Sequence, residues 1–401
     1  MPAEVAQDEA ATDADELPPR LLAVMAAACG ASAANIYYNQ PLLGDFGQYF
    51  HASPTQAGLV ATAAAVGYGT GIFFFVPLGD LVERRRIVVA LTFACAVLLT
   101  AMAFAPTLWL LIVAQLLVGI TAMSGQILIP LSVDLAKPEK RGHTVGVMMF
   151  GLLCGILLAR TLSGFVGDQL GWRAMFGLSA AIMAVLGIVL LAELPHRPPV
   201  LKMSYGRLMH SMLHLLREQP ALWTASAVSA LSFGVFTLFW TALPFFLMAK
   251  FHQGATEAGL FGIVGVFGAL AAPLAGKLTD RRGAEFTVTL CVISIAAAFA
   301  IMWVWPTIPS LIIGVLLMDM GVQSIQVAEQ ARAISLVPDA RSRLNTLYMV
   351  ARFIGGAAGS AIGATAWSSH GWAGVCAAAI GLMVLSCLPH GIDMWRKKAA
   401  R

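Results

Sequence analysis

Long apolar runs recur along almost the whole chain, and short polar segments separate them. A helix needs roughly 20 residues to cross a hydrocarbon core of about 30 Å, and twelve runs reach that length. We number them span 1 to span 12, at residues 20–43, 54–78, 86–106, 107–135, 141–168, 171–193, 219–249, 255–276, 284–305, 308–336, 340–369 and 371–393. The pattern predicts an all-α membrane protein with twelve transmembrane helices.

Four unrelated local patterns occur twice, at a nearly constant offset of about 200 residues. The pairs are Thr55–Leu59 with Thr256–Leu260, Gly79–Arg84 with Gly276–Arg281, Pro138-x-x-Arg141 with Pro338-x-x-Arg341, and Gly171-Trp172 with Gly371-Trp372. This repeat predicts two homologous halves, as in alternating-access transporters. We expect a disordered tail at 1–19, six-helix bundles at 20–194 and 219–393, a cytoplasmic linker at 195–218 and a tail at 394–401.

The basic residues predict the orientation of the spans. Of 25 Lys and Arg residues, 21 lie on the side of the two termini, with Arg332 counted at the inner end of its span. By the positive-inside rule, we expect a multi-pass membrane protein with both termini in the cytoplasm.

Composition excludes several classes of protein. Hydrophobic residues make up 59% and charged residues 11% of the chain, whereas soluble domains have about 25% charged residues. The basic residues lie in short loops, which gives no indication of nucleic-acid binding, and all six cysteines fall inside apolar runs, which argues against a disulfide framework. A Walker motif is absent from the sequence, so ATP is not the expected energy source. We expect no enzyme activity, cofactor or metal.

One loop carries a family signature. Gly276-x-x-x-Asp280-Arg281-x-Gly283 resembles the signature of the major facilitator superfamily, and Gly79-x-x-x-Glu83-Arg84 is a weaker copy of it. With the twelve spans and two halves, the resemblance covers residues 20–393 and implies two pseudo-symmetric six-helix bundles. The runs at 37–41, 338–345 and 355–360 look like bacterial inner-membrane members of the drug or sugar efflux permease group.

Two positions depart from the proton-driven drug antiporters that this chain otherwise resembles. The glycine-rich run of span 5, which begins at Gly151, has Ala159-Arg160 where that family has Gly-Pro, and span 4 has Gln115 where the family has a coupling arginine.

Small-residue faces allow close helix contact. We expect this run, and its counterpart from Gly355 in span 11, to form the seam between the halves.

The charges at the cytoplasmic ends of spans predict a gate. A carboxylate there can pair with arginines and break that pair when the inner face opens. The gating candidates are Glu83, Arg84, Arg141, Asp280, Arg281 and Arg341, together with Asp134, which we expect to pair with Arg141. Alternatively, the arginines act only as topology signals.

Ionisable residues at membrane depth cost roughly 2.5–3.5 kcal/mol each and are functional by default. Asp319 and Arg352 lie near the midplane of spans 10 and 11, so we predict that they pair and that Asp319 carries the coupling proton. Glu329 is either a second gating or coupling acid or a structural partner of Arg332. Arg160 has no partner in its own span, so it binds an anionic substrate or meets an acid from another helix.

The resemblance implies that spans 1, 4, 7 and 10 face the central cavity. The substrate-binding candidates on these spans are polar or aromatic. On span 1, Asn35, Tyr38 and Asn39 recur at i, i+3 and i+4, on one face of a helix. On span 10, Gln323, Gln326 and Gln330 follow Asp319 at helical spacing and form one polar stripe, which lines the cavity or packs on span 11. The remaining candidates are Gln115, Met123 and Gln126 of span 4 and Phe233, Phe236 and Trp240 of span 7. For the amides the alternative is hydrogen bonding between helices, and for the aromatic residues it is packing.

Two functions remain open. The first is proton-coupled efflux, by antiport, of drug-like or small amphipathic metabolites. The alternative is transport of small organic anions, with Arg160 and Arg352 as carboxylate ligands. In either case we expect a small-molecule substrate, membrane lipid around the spans and a monomeric protein, with protons as the coupling ion in the first.

Overall fold

The structure is a computed structural model that describes residues 17–198, 204–269 and 281–399. Helices dominate these residues, and they contain no strand. The first half contains helices Pro19–Ala34, Leu43–Tyr49, Pro54–Leu81, Arg84–Ala103, Leu108–Thr121, Ser124–Leu135, Arg141–Leu170 and Trp172–Glu193. The second half follows helix Tyr205–Glu218 and contains Pro220–Phe251, Ala255–Ala269, Ala284–Val304, Ile308–Ile334 and Arg341–Ala399.

The predicted spans all have helical counterparts in the described residues. Nine helices there are long and apolar enough to cross a membrane, and two shorter apolar helices, Pro19–Ala34 and Ala255–Gly265, match spans 1 and 8. The segment Arg341–Met394 holds spans 11 and 12, because Gly371 breaks its helix with φ of 60°. Gly171, between spans 5 and 6, also has a positive φ, of 82°. Glycine is the residue that adopts such angles without strain.

Span 1 differs from its predicted extent. Its helix ends at Ala34, and residues 35–42 form turns before the short helix Leu43–Tyr49. Span 4 is likewise divided, at Ala122 and Met123. The bundle has two ends. The linker face is the end that carries residues 195–198 and the helix Tyr205–Glu218, and the opposite face is the other end.

The glycine-rich runs pack mainly within each half. A Cβ on Gly151 or Gly155 of span 5 would collide with the backbone of span 1, at Ala26 and Gly30. In the second half, Gly355 and Gly359 of span 11 approach Ala230 and Gly234 of span 7 in the same way. The prediction that these runs form the seam between the halves therefore holds for part of their length only. Gly164 of span 5 approaches Ala255 of span 8, and Ser360 of span 11 donates to Gly58 O of span 2. The other small residues bring together helices of one half.

The halves meet along two pairs of spans, 2 with 11 and 5 with 8. Spans 2 and 11 contact each other along their length, through Ser360 Oγ to Gly58 O at 3.5 Å, the rings of Tyr68 and Phe353 with centroids 4.6 Å apart, and Ser342 Oγ to Asp80 Oδ2 at 3.4 Å.

Spans 5 and 8 form the second contact, near the opposite face. Asp168, at the end of span 5, accepts hydrogen bonds from the backbone N–H groups of Ala255 at 3.2 Å and Thr256 at 2.7 Å. Further into the bundle, Thr161 Oγ1 donates to Gly259 O at 3.2 Å. A carboxylate at a helix N-terminus satisfies amides that have no partner in the helix, so Asp168 ties the first half to the start of span 8.

Candidate functional site

Arg160 is the centre of an aromatic cluster between the halves. Its side chain is buried, and its guanidinium carbon lies 4.7 Å from the ring centroid of Tyr37, 5.3 Å from that of Phe236 and 4.1 Å from that of Trp240. Its Nε donates to Gln40 Oε1 at 2.8 Å. Cation–π contacts are strongest when the cation is desolvated, so the rings of spans 1 and 7 hold this arginine at membrane depth.

Asp319 reaches the same region from span 10, and the glycines of span 8 make room for it. A Cβ on Gly265 would collide with the Asp319 carboxylate, and one on Gly268 would lie 2.9 Å from Asp319 Cβ. A Cβ on Gly262 would lie 3.1 Å from Arg160 Cβ. A residue with a side chain at these positions would push the acid and the arginine away from span 8.

The predicted pairing of Asp319 with Arg352 is wrong. Arg352 Nη1 donates to Ser229 Oγ at 3.2 Å, and its guanidinium carbon lies 4.2 Å from the ring centroid of Phe233. Asp319 and Arg160 instead pack against the same helix, span 8, at Gly265 and Gly262. The two residues form no ion pair within 4.0 Å in the described structure. Arg160 has thus met an acid from another helix without bonding to it directly.

Three buried polar atoms of this cluster have no hydrogen-bond partner among the described residues: Arg160 Nη2, Trp240 Nε1 and Asp319 Oδ1. Their side chains belong to spans 5, 7 and 10, and therefore to both halves. An unsatisfied buried donor or acceptor costs about 1–3 kcal/mol, and most buried polar groups in native proteins have partners. Two donors and one acceptor without partners beside aromatic rings make this cluster the candidate site.

The three span 1 candidates lie elsewhere. Asn35 bonds to Ala31 O at 2.9 Å and accepts from Ser179 Oγ at 2.6 Å, while Tyr38 also contacts Ser179 of span 6. Asn39 Nδ2 donates to Ile36 O at 3.0 Å. Because the helix ends at Ala34, these residues do not form the helical stripe that we predicted, and the flanking Tyr37 and Gln40 face Arg160 instead.

Span 4 contributes little to the cluster. Gln115 Nε2 donates to Asn35 O at 3.4 Å, within the first half, and Met123 packs where a Cβ on Gly71 of span 2 would lie. Gln126 Nε2 donates to Tyr68 OH at 3.2 Å, and Tyr68 is the residue whose ring meets Phe353 across the halves. Gln126 therefore contacts a residue of the interface between the halves.

The polar stripe of span 10 divides between two environments. Gln330 Nε2 donates to Asn345 Oδ1 of span 11 at 2.8 Å, and Gln323 and Gln326 are half-buried. Glu329 is buried and pairs with Arg332 at 3.2 Å, which also bonds to Thr224 and Asp393. The contacts of Glu329 are those of the structural alternative, a charge cluster that joins spans 7, 10 and 12.

The gating candidates pair differently from the prediction. Asp134 binds Arg84 at 2.6 Å, so its predicted pairing with Arg141 is wrong. Arg84 also binds Asp80 at 3.0 Å, and Glu83 binds Arg86 at 2.7 Å and His196 at 2.6 Å. All of these contacts lie within the first half and the start of the linker.

The remaining gating candidates are at the linker face. Arg141, Arg281 and Arg341 are exposed and form no ion pair with the described residues, and Asp280 lies outside those residues. Among the described residues of this face, Ser342 Oγ donates to Asp80 Oδ2 across the two halves. We did not single out Asp80, although its place three residues before Glu83 in the signature loop was visible. The glycines at 259, 262, 265 and 268, every third residue of span 8, were a visible signal for the close approach of Arg160 and Asp319.

Comparison with known proteins places this architecture. The family model of the Major Facilitator Superfamily matches residues 21–360 and again 225–395. An Escherichia coli protein with the name "Putative uncharacterized transporter YgaY" is 38% identical over 387 residues, which cover 96% of this chain and 98% of that protein. A Helicobacter pylori protein with the name "Probable sugar efflux transporter" is 23% identical and covers 86% of this chain and 88% of its own.

A solved structure shows the same fold. The bacterial homologue of the human lysosomal transporter Spinster, in an inward-facing and occupied conformation, superposes with a TM-score of 0.72 at 15% identity, covering 94% of this chain and 96% of its own. Fold, repeat and sequence therefore agree. The chain belongs to the Major Facilitator Superfamily.

Proposed function

We propose that this transporter exports small amphipathic, drug-like or metabolite molecules in exchange for protons, by alternating access, and that Asp319 carries the proton. The observation that supports the proposal most is the position of Asp319, a buried acid that faces Arg160 without a direct ion pair. A carboxyl group near a cation can alternate between a charged and a protonated form when its solvent access changes. An acid already neutralised by a salt bridge, such as Glu329 beside Arg332, is less suited to that exchange.

The surroundings of Asp319 support an amphipathic substrate. Tyr37, Phe236 and Trp240 present aromatic surface, while Arg160 and Trp240 offer hydrogen-bond donors. Aromatic rings with a few placed polar groups are typical of small-molecule sites. The name of the Helicobacter pylori relative supports efflux as the direction.

The proposed arrangement in the membrane follows the basic residues. We place both termini in the cytoplasm and the protein, as a monomer, in the bacterial inner membrane, because 21 of 25 Lys and Arg lie on that side. The linker face is then cytoplasmic, and Asp80, Glu83, Arg84 and Asp134 belong to its gate.

A second candidate is the transport of small organic anions. It is favoured by the charges of the site, since Arg160 and Arg352 are both buried near Tyr37 while Asp319 supplies one negative charge. A carboxylate would balance the excess positive charge and could bind a guanidinium in a bidentate manner.

Flux into and out of proteoliposomes tests both candidates. A panel of amphipathic cations, neutral compounds and carboxylates is measured with and without a pH gradient, using Asp319→Asn, Arg160→Gln and Arg352→Gln. Glu193→Gln, which breaks the pair of Glu193 with the exposed Arg20, is the control. We expect a pH gradient to drive transport in the wild type and the control, and Asp319→Asn to abolish that dependence. Independence of the pH gradient for every compound would remove the proton-coupled function. Loss of carboxylate transport in both arginine variants, with Asp319→Asn unaffected, would establish the second candidate.

A further inference from the structure

The unpartnered atoms of the central cluster define what a ligand must supply. Arg160 Nη2 and Trp240 Nε1 are donors, and Asp319 Oδ1 is an acceptor. All three side chains are more than nine-tenths buried, with exposed fractions of 4%, 2% and 5%. Arginine and the indole N–H can only donate, and an ionised carboxylate can only accept. A ligand that satisfies all three must therefore carry both an acceptor group and a donor group.

The cluster does not satisfy itself because its members are held apart. Gln40 Oε1 accepts from Arg160 Nε, and the rings of Tyr37 and Trp240 contact the guanidinium, which fixes its plane. Asp319 is seated against the glycine face of span 8, at Gly265 and Gly268. An arginine and an aspartate that serve only to stabilise a fold would be expected to bond directly and satisfy their lone pairs and protons.

The charges narrow the chemistry of the acceptor and the donor. An anionic group is favoured beside Arg160, because charge-assisted hydrogen bonds are about twice as strong as neutral ones. A cationic group is favoured beside Asp319 for the same reason. The neighbouring rings of Phe236 and Trp240, with centroids 6.1 Å apart, supply a surface for an apolar or aromatic body.

We propose that this site selects zwitterions, namely small molecules with a carboxylate, a primary ammonium group and an aromatic body, as aromatic amino acids have. The carboxylate accepts from Arg160 Nη2 and Trp240 Nε1, and the ammonium donates to Asp319 Oδ1. The inference rests on the proposed function and narrows its substrate class. It differs from the organic-anion candidate because Asp319 acts as a ligand and a lone carboxylate leaves it unsatisfied.

Four compounds with one phenyl body test the inference. Phenylalanine has both charges, 3-phenylpropionate has only the carboxylate, phenethylamine has only the ammonium, and 2-phenylethanol has neither. Binding to the full-length protein in lipid nanodiscs is measured by isothermal titration calorimetry at pH 7. We expect phenylalanine to bind at least about fivefold more tightly than either singly charged compound, because each unsatisfied buried partner costs about 1–3 kcal/mol.

Variants assign each contact. Trp240→Phe keeps a ring and removes the N–H. It should therefore weaken the binding of phenylalanine and 3-phenylpropionate about five- to tenfold and leave the binding of phenethylamine unchanged. Asp319→Asn should lower the affinity for phenylalanine to the affinity of the wild type for 3-phenylpropionate. Arg160→Gln should lower it to the affinity of the wild type for phenethylamine. Trp305→Phe, at an exposed tryptophan of the opposite face, is the matched control and should change none of the affinities.

The outcomes separate this inference from the proposed function. Equal affinities for phenylalanine and either singly charged compound, or no binding by any of the four, would overturn the inference, even where a pH gradient still drives the flux of other compounds. Equal effects of Trp240→Phe on all four compounds would also overturn it, because the N–H would then have no specific role. Zwitterion preference without any effect of a pH gradient on flux would uphold the inference and overturn proton coupling.

Discussion

The hydrogen bonds of Asp168 should hold the opposite face closed. Its carboxylate accepts from Thr256 N at 2.7 Å and Ala255 N at 3.2 Å, which joins the end of span 5 to the start of span 8 across the two halves. Alternating access requires this contact to break when the opposite face opens. We therefore expect Asp168→Asn to shift the equilibrium toward conformations that are open on that face.

The magnitude follows from what asparagine keeps. Its side chain retains one acceptor oxygen, so one of the two hydrogen bonds is lost along with the negative charge. A hydrogen bond to a charged group contributes about 1.5–3 kcal/mol, and a charge at a helix N-terminus about 0.3–1 kcal/mol. A loss of about 2–3 kcal/mol corresponds to a roughly 30- to 150-fold change in the ratio of closed to open molecules, since each 1.4 kcal/mol is tenfold.

Double electron–electron resonance between two spin labels measures the ratio of closed to open molecules. Labels at the exposed residues Phe104 and Trp305 place one on each half at the opposite face, in a background from which Cys154 and Cys387 have been removed. We expect a longer-distance population to grow in Asp168→Asn. Glu257→Gln is the matched control, because Glu257 accepts from Gly254 N at 2.9 Å within the second half only.

Two results would refute the reasoning. If the distance distribution of Asp168→Asn equals that of the wild type, the bonds to Ala255 and Thr256 do not contribute to closure. If Glu257→Gln opens the face equally, the effect comes from weakening the start of span 8 and not from losing the contact between halves.

Three further predictions concern other charges. Gly265→Ala should displace Asp319, because the new Cβ would collide with its carboxylate. We expect flux driven by a pH gradient to fall at least about tenfold, as for a displacement of about 1 Å at a reacting group, and unchanged flux would contradict this. Burial, together with the nearby Asp168, raises the pKa of Asp45 from 3.8 to about 6. The folded state therefore favours protonated Asp45, and the stability of the protein should fall by roughly 1 kcal/mol between pH 5 and pH 7. Asp45→Asn should remove this dependence of Tm on pH, and an identical pH dependence in the variant would refute the prediction. Arg332→Met leaves Glu329 and Asp393 without this cation and should destabilise the protein by about 3–5 kcal/mol. We expect Tm to decrease, and a second substitution, Glu329→Gln, to restore part of that decrease. An unchanged Tm would exclude a structural role for Arg332.

The helices could be predicted because lipid demands long apolar segments, and hydropathy alone reveals them. Asp319 and Arg160 stood out for the same reason, since charges are rare at membrane depth. Their relation to each other was not predictable, because it depends on which helices pack together. The sequence suggested Arg352 as the partner of Asp319 on the grounds of similar depth, but the glycine face of span 8 brings spans 5 and 10 together instead.

Local geometry explains the other differences. A helical stripe of Asn35, Tyr38 and Asn39 assumes a continuous helix, but the helix of span 1 ends at Ala34 and the turns rotate Tyr37 and Gln40 toward the site. Likewise, Asp134 was assigned to Arg141 by closeness in sequence, whereas Arg84 reaches it from the neighbouring span at 2.6 Å. Pairing by sequence distance fails where a long arginine side chain can reach across two helices.

Span 8 connects the opposite face with the central cluster. Its N-terminal amides bind Asp168, and Gly265, ten residues later and so about 15 Å along the helix, receives the carboxylate of Asp319. A movement of the start of this helix should therefore change the space available to Asp319. We expect the effects of Asp168→Asn and Gly265→Ala on the population open at the opposite face to be non-additive by at least about 0.5 kcal/mol, the scale of coupled residues. The double variant, measured with the same spin labels, decides the point: additive effects would mean that span 8 does not link its two ends, and closure of the opposite face would then be independent of the acid at the centre.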